Sequence, residues 1–221
     1  MASSSEELPL GLMIPPVEPG VEIPPEPPDV GARALAVATR LLAGATTFFF
    51  LAYAFAYFYL RSINADHMWH PAHVHPNQIL GAAFILCVLG SAALTYLGGR
   101  RMKRRSRSWT APAIAGVLLG LAAVVLQCVE YLVQHFGPTD GAYASVFCAW
   151  SAFYLIAVLA TMYWLETQVA TELRARREPA PADGDIKNPD RLIAPGLDAA
   201  VFYWSFLAGI GLITYVTLYL V

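Results

Sequence analysis

The sequence predicts an all-α integral membrane protein, a bundle of five transmembrane helices with its N-terminus cytoplasmic and its C-terminus extracytoplasmic. Three observations carry that reading. Of 221 residues, 57% are hydrophobic and only 14% charged, with a mean hydropathy of +0.51, whereas soluble domains carry about 25% charged residues. Five apolar stretches each reach the roughly 20 residues that a hydrocarbon core of about 30 Å requires. The Lys and Arg residues are crowded into alternate links between them. The formal charge of −2 offers no basic surface for nucleic acid.

The chain divides at residue 31. Residues 1–31 form a Pro-rich acidic tail; residues 1–30 hold eight prolines, six acidic residues and no Lys or Arg. This composition expects an extended, solvated segment on the cytoplasmic side, disordered alone or laid as a strap along a partner. It lacks the basic start and immediate apolar core of a signal peptide. Residues 32–221 form the membrane domain, with spans at approximately 34–60, 77–98, 111–133, 142–168 and 198–220. The runs are too long, and too poor in alternation, for strands.

Basic residues set the orientation. Arg100 to Arg107 carries six Lys/Arg between spans two and three, and Arg174, Arg176, Arg177, Lys187 and Arg191 follow span four. The other two links carry Arg61 and none. The positive-inside rule makes the basic links cytoplasmic. Glu172 falls in one of them, as a solvated residue. Trp109 and Trp164 mark the inner interface and Trp69 the outer. Every histidine is then extracytoplasmic.

Span three is the most patterned. At 100° per residue, Gly116, Gly120, Ala123, Gln127 and Glu130 share one narrow stripe. Small residues admit a close neighbour, so the stripe reads as a packed seam buried against a larger partner protein. Glu130 stands level with Arg61, and the two make a candidate ion pair. Arg40, about two turns into span one, is a candidate contact for a lipid head group, or snorkels to the cytoplasm. Cys87, Cys128 and Cys148 lie in apolar runs and read as small core residues. No span holds a histidine to ligate haem, and neither a phosphate-binding loop nor a nucleophile motif occurs. The pattern is that of a helix-packing subunit with no catalytic centre of its own.

At "LQCVEYLVQHFGPTDGAYASVF" the chain resembles subunit III of the haem–copper (cytochrome c or quinol) oxidases, in its short five-helix form. The resemblance rests on Leu126, Gln127, Glu130 and Tyr131, then Asp140, Gly141, Tyr143, Ser145 and Phe147. "FAYFYLRS" and "FYWSFLAGIGLITYVTLYLV" support it, the latter through Tyr203, Trp204, Phe206 and Tyr219. The family's polar interior is thinned: Thr47 stands at its buried glutamate, Tyr154 and Ala157 at a histidine pair, and Ser205 and Ala208 at a His and Asp. The resemblance implies an accessory subunit with no cofactor of its own, bound to subunit I with its haems and copper, among other oxidase subunits. It also implies bound phospholipid, and a place in the plasma membrane of a bacterium or archaeon. The enzyme so assembled reduces dioxygen to water and pumps protons. A related accessory subunit of a nitric oxide reductase is the alternative.

The link "HMWHPAHVHPN" remains. His67, His70, His73 and His75 occupy nine positions, but Pro71 and Pro76 prevent a regular helix that would align them. A polar interfacial loop touching a neighbouring subunit is the first expectation. A metal site, with His135 or Asp66 joining, is the other, and would suit a stand-alone metal-handling membrane protein.

Overall fold

The computed structural model describes residues 28–63, 69–71, 73–104, 107–175 and 190–221. Five helices follow in order: α1 (Pro28–Ser62), α2 (Gln78–Lys103), α3 (Thr110–Val133), α4 (Ala142–Ala175) and α5 (Asp190–Tyr215). A 3₁₀ turn at Arg107–Trp109 leads into α3, and a π turn at Val216–Leu220 continues α5. All five helices are long and apolar enough to cross a membrane, and several run a turn or more past the predicted spans. The tail residues 1–27, His67, Asp66, Arg176, Arg177 and Lys187 lie outside the described residues.

The start of α2 is set by Asn77, whose side chain accepts the N–H groups of Ile79 and Leu80 at 3.1 Å each. That cap satisfies donors the helix leaves open. Its last turn carries Arg100, Arg101 and Lys103, cations that suit the negative end of the helix dipole.

Small residues decide which helices touch. A Cβ on Gly98 would stand 3.1 Å from Ala113 Cβ, and one on Gly116 2.6 Å from Thr95 Cγ2. The α2 and α3 backbones therefore approach more closely than larger side chains allow. α5 packs against α1, α2 and α4, while α3 also meets α4. Between α1 and α4 the contact is aromatic, with Phe50 lying 5.5 Å from Phe153 and 5.9 Å from Tyr154. The face of α1 turned away from α4 and α5 is open: Phe48 is 76% and Phe55 71% exposed. Such a face needs a solvent other than water.

Three expectations change here. The seam of Gly116, Gly120, Ala123, Gln127 and Glu130 is buried, but inside the chain rather than against a partner. Gly116 faces Thr95 and Ser91, and Gly120 faces Met162 and Ser91; α2 and α4 cover the stripe. Glu172 is 4% exposed on α4, because that helix continues beyond the apolar run instead of breaking into a link. Cys128 is exposed, since it falls one position beyond Gln127 and so outside the seam.

Candidate functional site

Polar side chains gather at the ends of α1, α3 and α5 and the start of α4, the end predicted to face outward. Gln127 and Glu130, three residues apart on α3, share a helix face. Gln127 Nε2 donates to Glu130 Oε2 at 2.9 Å. The Tyr219 hydroxyl lies 2.7 and 2.8 Å from the two carboxyl oxygens. Glu130 is 1% exposed, and burial without partners would be costly for a carboxyl group. Two neutral donors meet that need.

Tyr219 reaches Glu130 through two local features. The π turn at Val216–Leu220 rewinds the end of α5, where Val221 N–H donates to Val216 O at 3.1 Å. Gly81 then leaves room for the ring, since a Cβ there would be 2.3 Å from Tyr219 Cε1.

The start of α4 is built by the "TDGAYAS" segment. The Asp140 carboxylate accepts Gly137 N–H at 2.7 Å. Gly141 has φ 146°, a conformation that disfavours any residue with a Cβ. The Ser145 hydroxyl donates to Gly141 O at 3.1 Å and also to Pro138 O. Two residues past the glycine, Tyr143 points into the bundle and donates to Leu218 O at 2.5 Å. Tyr131 donates to Ser151 at 2.9 Å, tying α3 to α4. The motif residues thus form one joint between α3, α4 and the last turn of the chain.

Tyr203 and Trp204 belong to another joint. Trp204 Nε1 donates to Ser91 Oγ at 3.1 Å, and Ser91 donates to Gly116 O at 2.6 Å. Tyr203 and Thr46 share a hydrogen bond of 2.8 Å between α5 and α1. Ser91, Thr46 and the Tyr219–Glu130 contact had no local signal, because each depends on residues more than eighty positions apart or on packing across helices. Tyr154 takes a structural role, donating to Leu207 O at 3.0 Å.

The expected Arg61–Glu130 pair does not form. Arg61 donates to the backbone oxygen of Val221 at 2.9 Å and lies over the Tyr57 ring, 6.0 Å from its centre. Tyr219 fills the space at Glu130 instead, so the carboxyl group meets phenol and amide rather than guanidinium. Arg40 is exposed on α1.

Two cavities open at this end. One of about 470 Å³ is bounded by Tyr57, Arg61, His70, His75, Gln78 and Tyr143, among others. The other, about 290 Å³, is bounded by His75, Asn77, Glu130, Val133, Gln134 and His135. Of the four histidines in the link, His70 and His75 are close, with ring centres 5.0 Å apart. His73 is exposed. Among the described residues, no three His, Cys, Asp or Glu side chains converge as ligands for a metal ion. Burial, and then the nearby His75, hold His70 below the usual histidine range.

Comparison with known proteins gives one family. The model of cytochrome c oxidase subunit III matches residues 31–221. The chain is 23% identical over 178 residues to cytochrome c oxidase subunit 3 of Mus musculus, covering 77% of this chain and 64% of that protein. The subunit 3 proteins of Rattus norvegicus and Osphranter robustus are 24% and 22% identical over 178 residues, covering 77% and 78% of this chain and 64% of each relative. The chain therefore matches less than two thirds of the length of these relatives.

Proposed function

The chain belongs to the cytochrome c oxidase subunit III family, and from that premise we propose that it is the accessory, non-redox subunit of a proton-pumping terminal oxidase that reduces dioxygen to water. Its partners are then the haem- and copper-bearing subunit I and other oxidase subunits. Its own part is to brace the catalytic subunit and hold phospholipid beside it, with Arg40 as a head-group contact.

The observation that carries this reading is the family match from residue 31 to residue 221, over a bundle of five apolar helices. The side chains agree with a bracing role. The polar groups of the family motif are spent within the chain: Glu130 on Gln127 and Tyr219, Asp140 on the Gly137 N–H, and Tyr143 on the Leu218 carbonyl. Such an arrangement locks helix ends. The open aromatic face of α1 supplies apolar surface that a bilayer and a membrane partner can cover. The basic links support a cytoplasmic N-terminus, and the setting that goes with this reading is the plasma membrane of a bacterium or archaeon.

Purification of the chain from native membranes in a mild detergent tests the proposal. The expected companion carries haem and copper and consumes oxygen with cytochrome c or quinol as donor. Recovery with a non-haem-iron partner that reduces nitric oxide, or with no redox partner at all, overturns it.

A further inference from the structure

The described residues ahead of α2, 69–71 and 73–77, form a folded corner. Trp69 is buried against Tyr57 and Tyr143, at ring-centre distances of 5.1 and 5.8 Å, and its carbonyl accepts Tyr143 N–H at 3.1 Å. Five residues on, Val74 is fully buried, and its N–H donates to Pro71 O at 3.0 Å. Trp69 and Val74 thus anchor the segment at two points, and the Pro71–Val74 hydrogen bond holds those two residues close. Pro71 and Pro76 restrict the backbone further.

This fold pairs the residues that flank the turn. His70 and His75 stand with ring centres 5.0 Å apart and planes at 44°, and both border the 470 Å³ cavity. The Tyr143 ring lies 4.5 Å from His70 and buttresses it. With a Zn–N bond of about 2.0–2.1 Å and the ring centre roughly 1 Å beyond the nitrogen, two imidazoles on one tetrahedral ion have centres about 5 Å apart. The observed spacing matches that arrangement.

We propose that His70 and His75 form a two-histidine site for a divalent transition-metal ion of the Zn²⁺ class, its other positions open to water in the cavity. Imidazole binds metal in its neutral form. Only two protein ligands, with the Arg61 guanidinium bordering the same cavity, make the ion exchangeable. A closed four-ligand structural site would hold it far more tightly. His73, exposed within the turn, takes no part. The site stands apart from the oxidase reading, because it needs only this chain.

Equilibrium dialysis of the detergent-solubilised full chain against ZnCl₂ at about pH 7.5, with zinc counted by mass spectrometry and affinity measured by calorimetry, tests the site. About one saturable zinc per chain is expected, bound more weakly as pH falls because protons compete for the ligands. H70A and H75A each weaken binding at least about tenfold, the loss that even a second-shell change brings; H73A leaves it unchanged. His75 is exposed, so H75Q keeps the loop polar and folded while removing the imidazole, and it must show the same loss. Full affinity in H75Q, equal weakening by H73A, or absence of saturable binding overturns the proposal.

Discussion

The two ends of the bundle are fastened differently. At the end bearing Glu130, the fastenings are buried hydrogen bonds: Glu130 to Tyr219 and Gln127, Tyr143 to Leu218, and Tyr131 to Ser151. At the opposite end, α2 meets α5 through the Lys103–Asp198 ion pair at 2.8 Å, whose side chains are 59% and 38% exposed. Close apolar packing of Gly98 on Ala113 adds to it. Buried polar groups must be paired because no water can replace a lost partner. An exposed ion pair is screened, and its loss is repaired by solvent. The buried network at the Glu130 end is therefore specific and unforgiving, whereas the exposed Lys103–Asp198 pair at the other end is tolerant.

Substitutions sharpen that contrast. Glu130→Ala leaves Tyr219 and Gln127 without their acceptor, and the loss is about 3 kcal/mol at one to two per orphaned donor. Reversible unfolding of the chain in mixed micelles measures it. Gly81→Ala is next, at about 2 kcal/mol, because the new methyl meets the Tyr219 ring and must displace the last turn. Faster hydrogen exchange confined to residues 216–221 is its signature. Lys103→Ala costs under about 1 kcal/mol and less still in high salt. A loss equal to that of Glu130→Ala would break the comparison.

The smallest effect concerns pH. The folded state holds the His70 pKa below its ordinary value, so the unfolded link binds the proton more readily. The stability that His70 contributes is present above about pH 6.5 and declines as pH falls through and below that value. Hydrogen exchange within residues 69–76, corrected for its intrinsic pH dependence, then quickens on acidification in the native chain. His70→Gln removes that dependence.

Much of the fold was legible in the sequence. Uninterrupted apolar length sets a spanning helix by itself, so α3 was read to within a residue of its limits. The Gly116-to-Glu130 stripe was visible as a period. The partner of the stripe was not visible. Small residues announce that something comes close, but Ser91 and Thr95 look no different from any other small polar residues in an apolar run. A shared level in the membrane predicts an Arg61–Glu130 pair. Level does not specify azimuth, and Tyr219 occupies the intervening position. Glu172 was placed in a solvated link because charge usually ends a span; α4 instead carries it onward into a buried position.

The amino-acid sequence by itself determined that this chain forms five long apolar helices, where they begin and end to within a few turns, and which stripe of α3 must be covered. Those properties follow from hydrophobic length and helical period, which are local. Only the tertiary structure decided that α2 covers the stripe, that a phenol rather than a guanidinium meets Glu130, and that His70 and His75 stand together while His73 does not. Those outcomes depend on how helices rotate and loops fold against one another, and residues distant in sequence set that jointly.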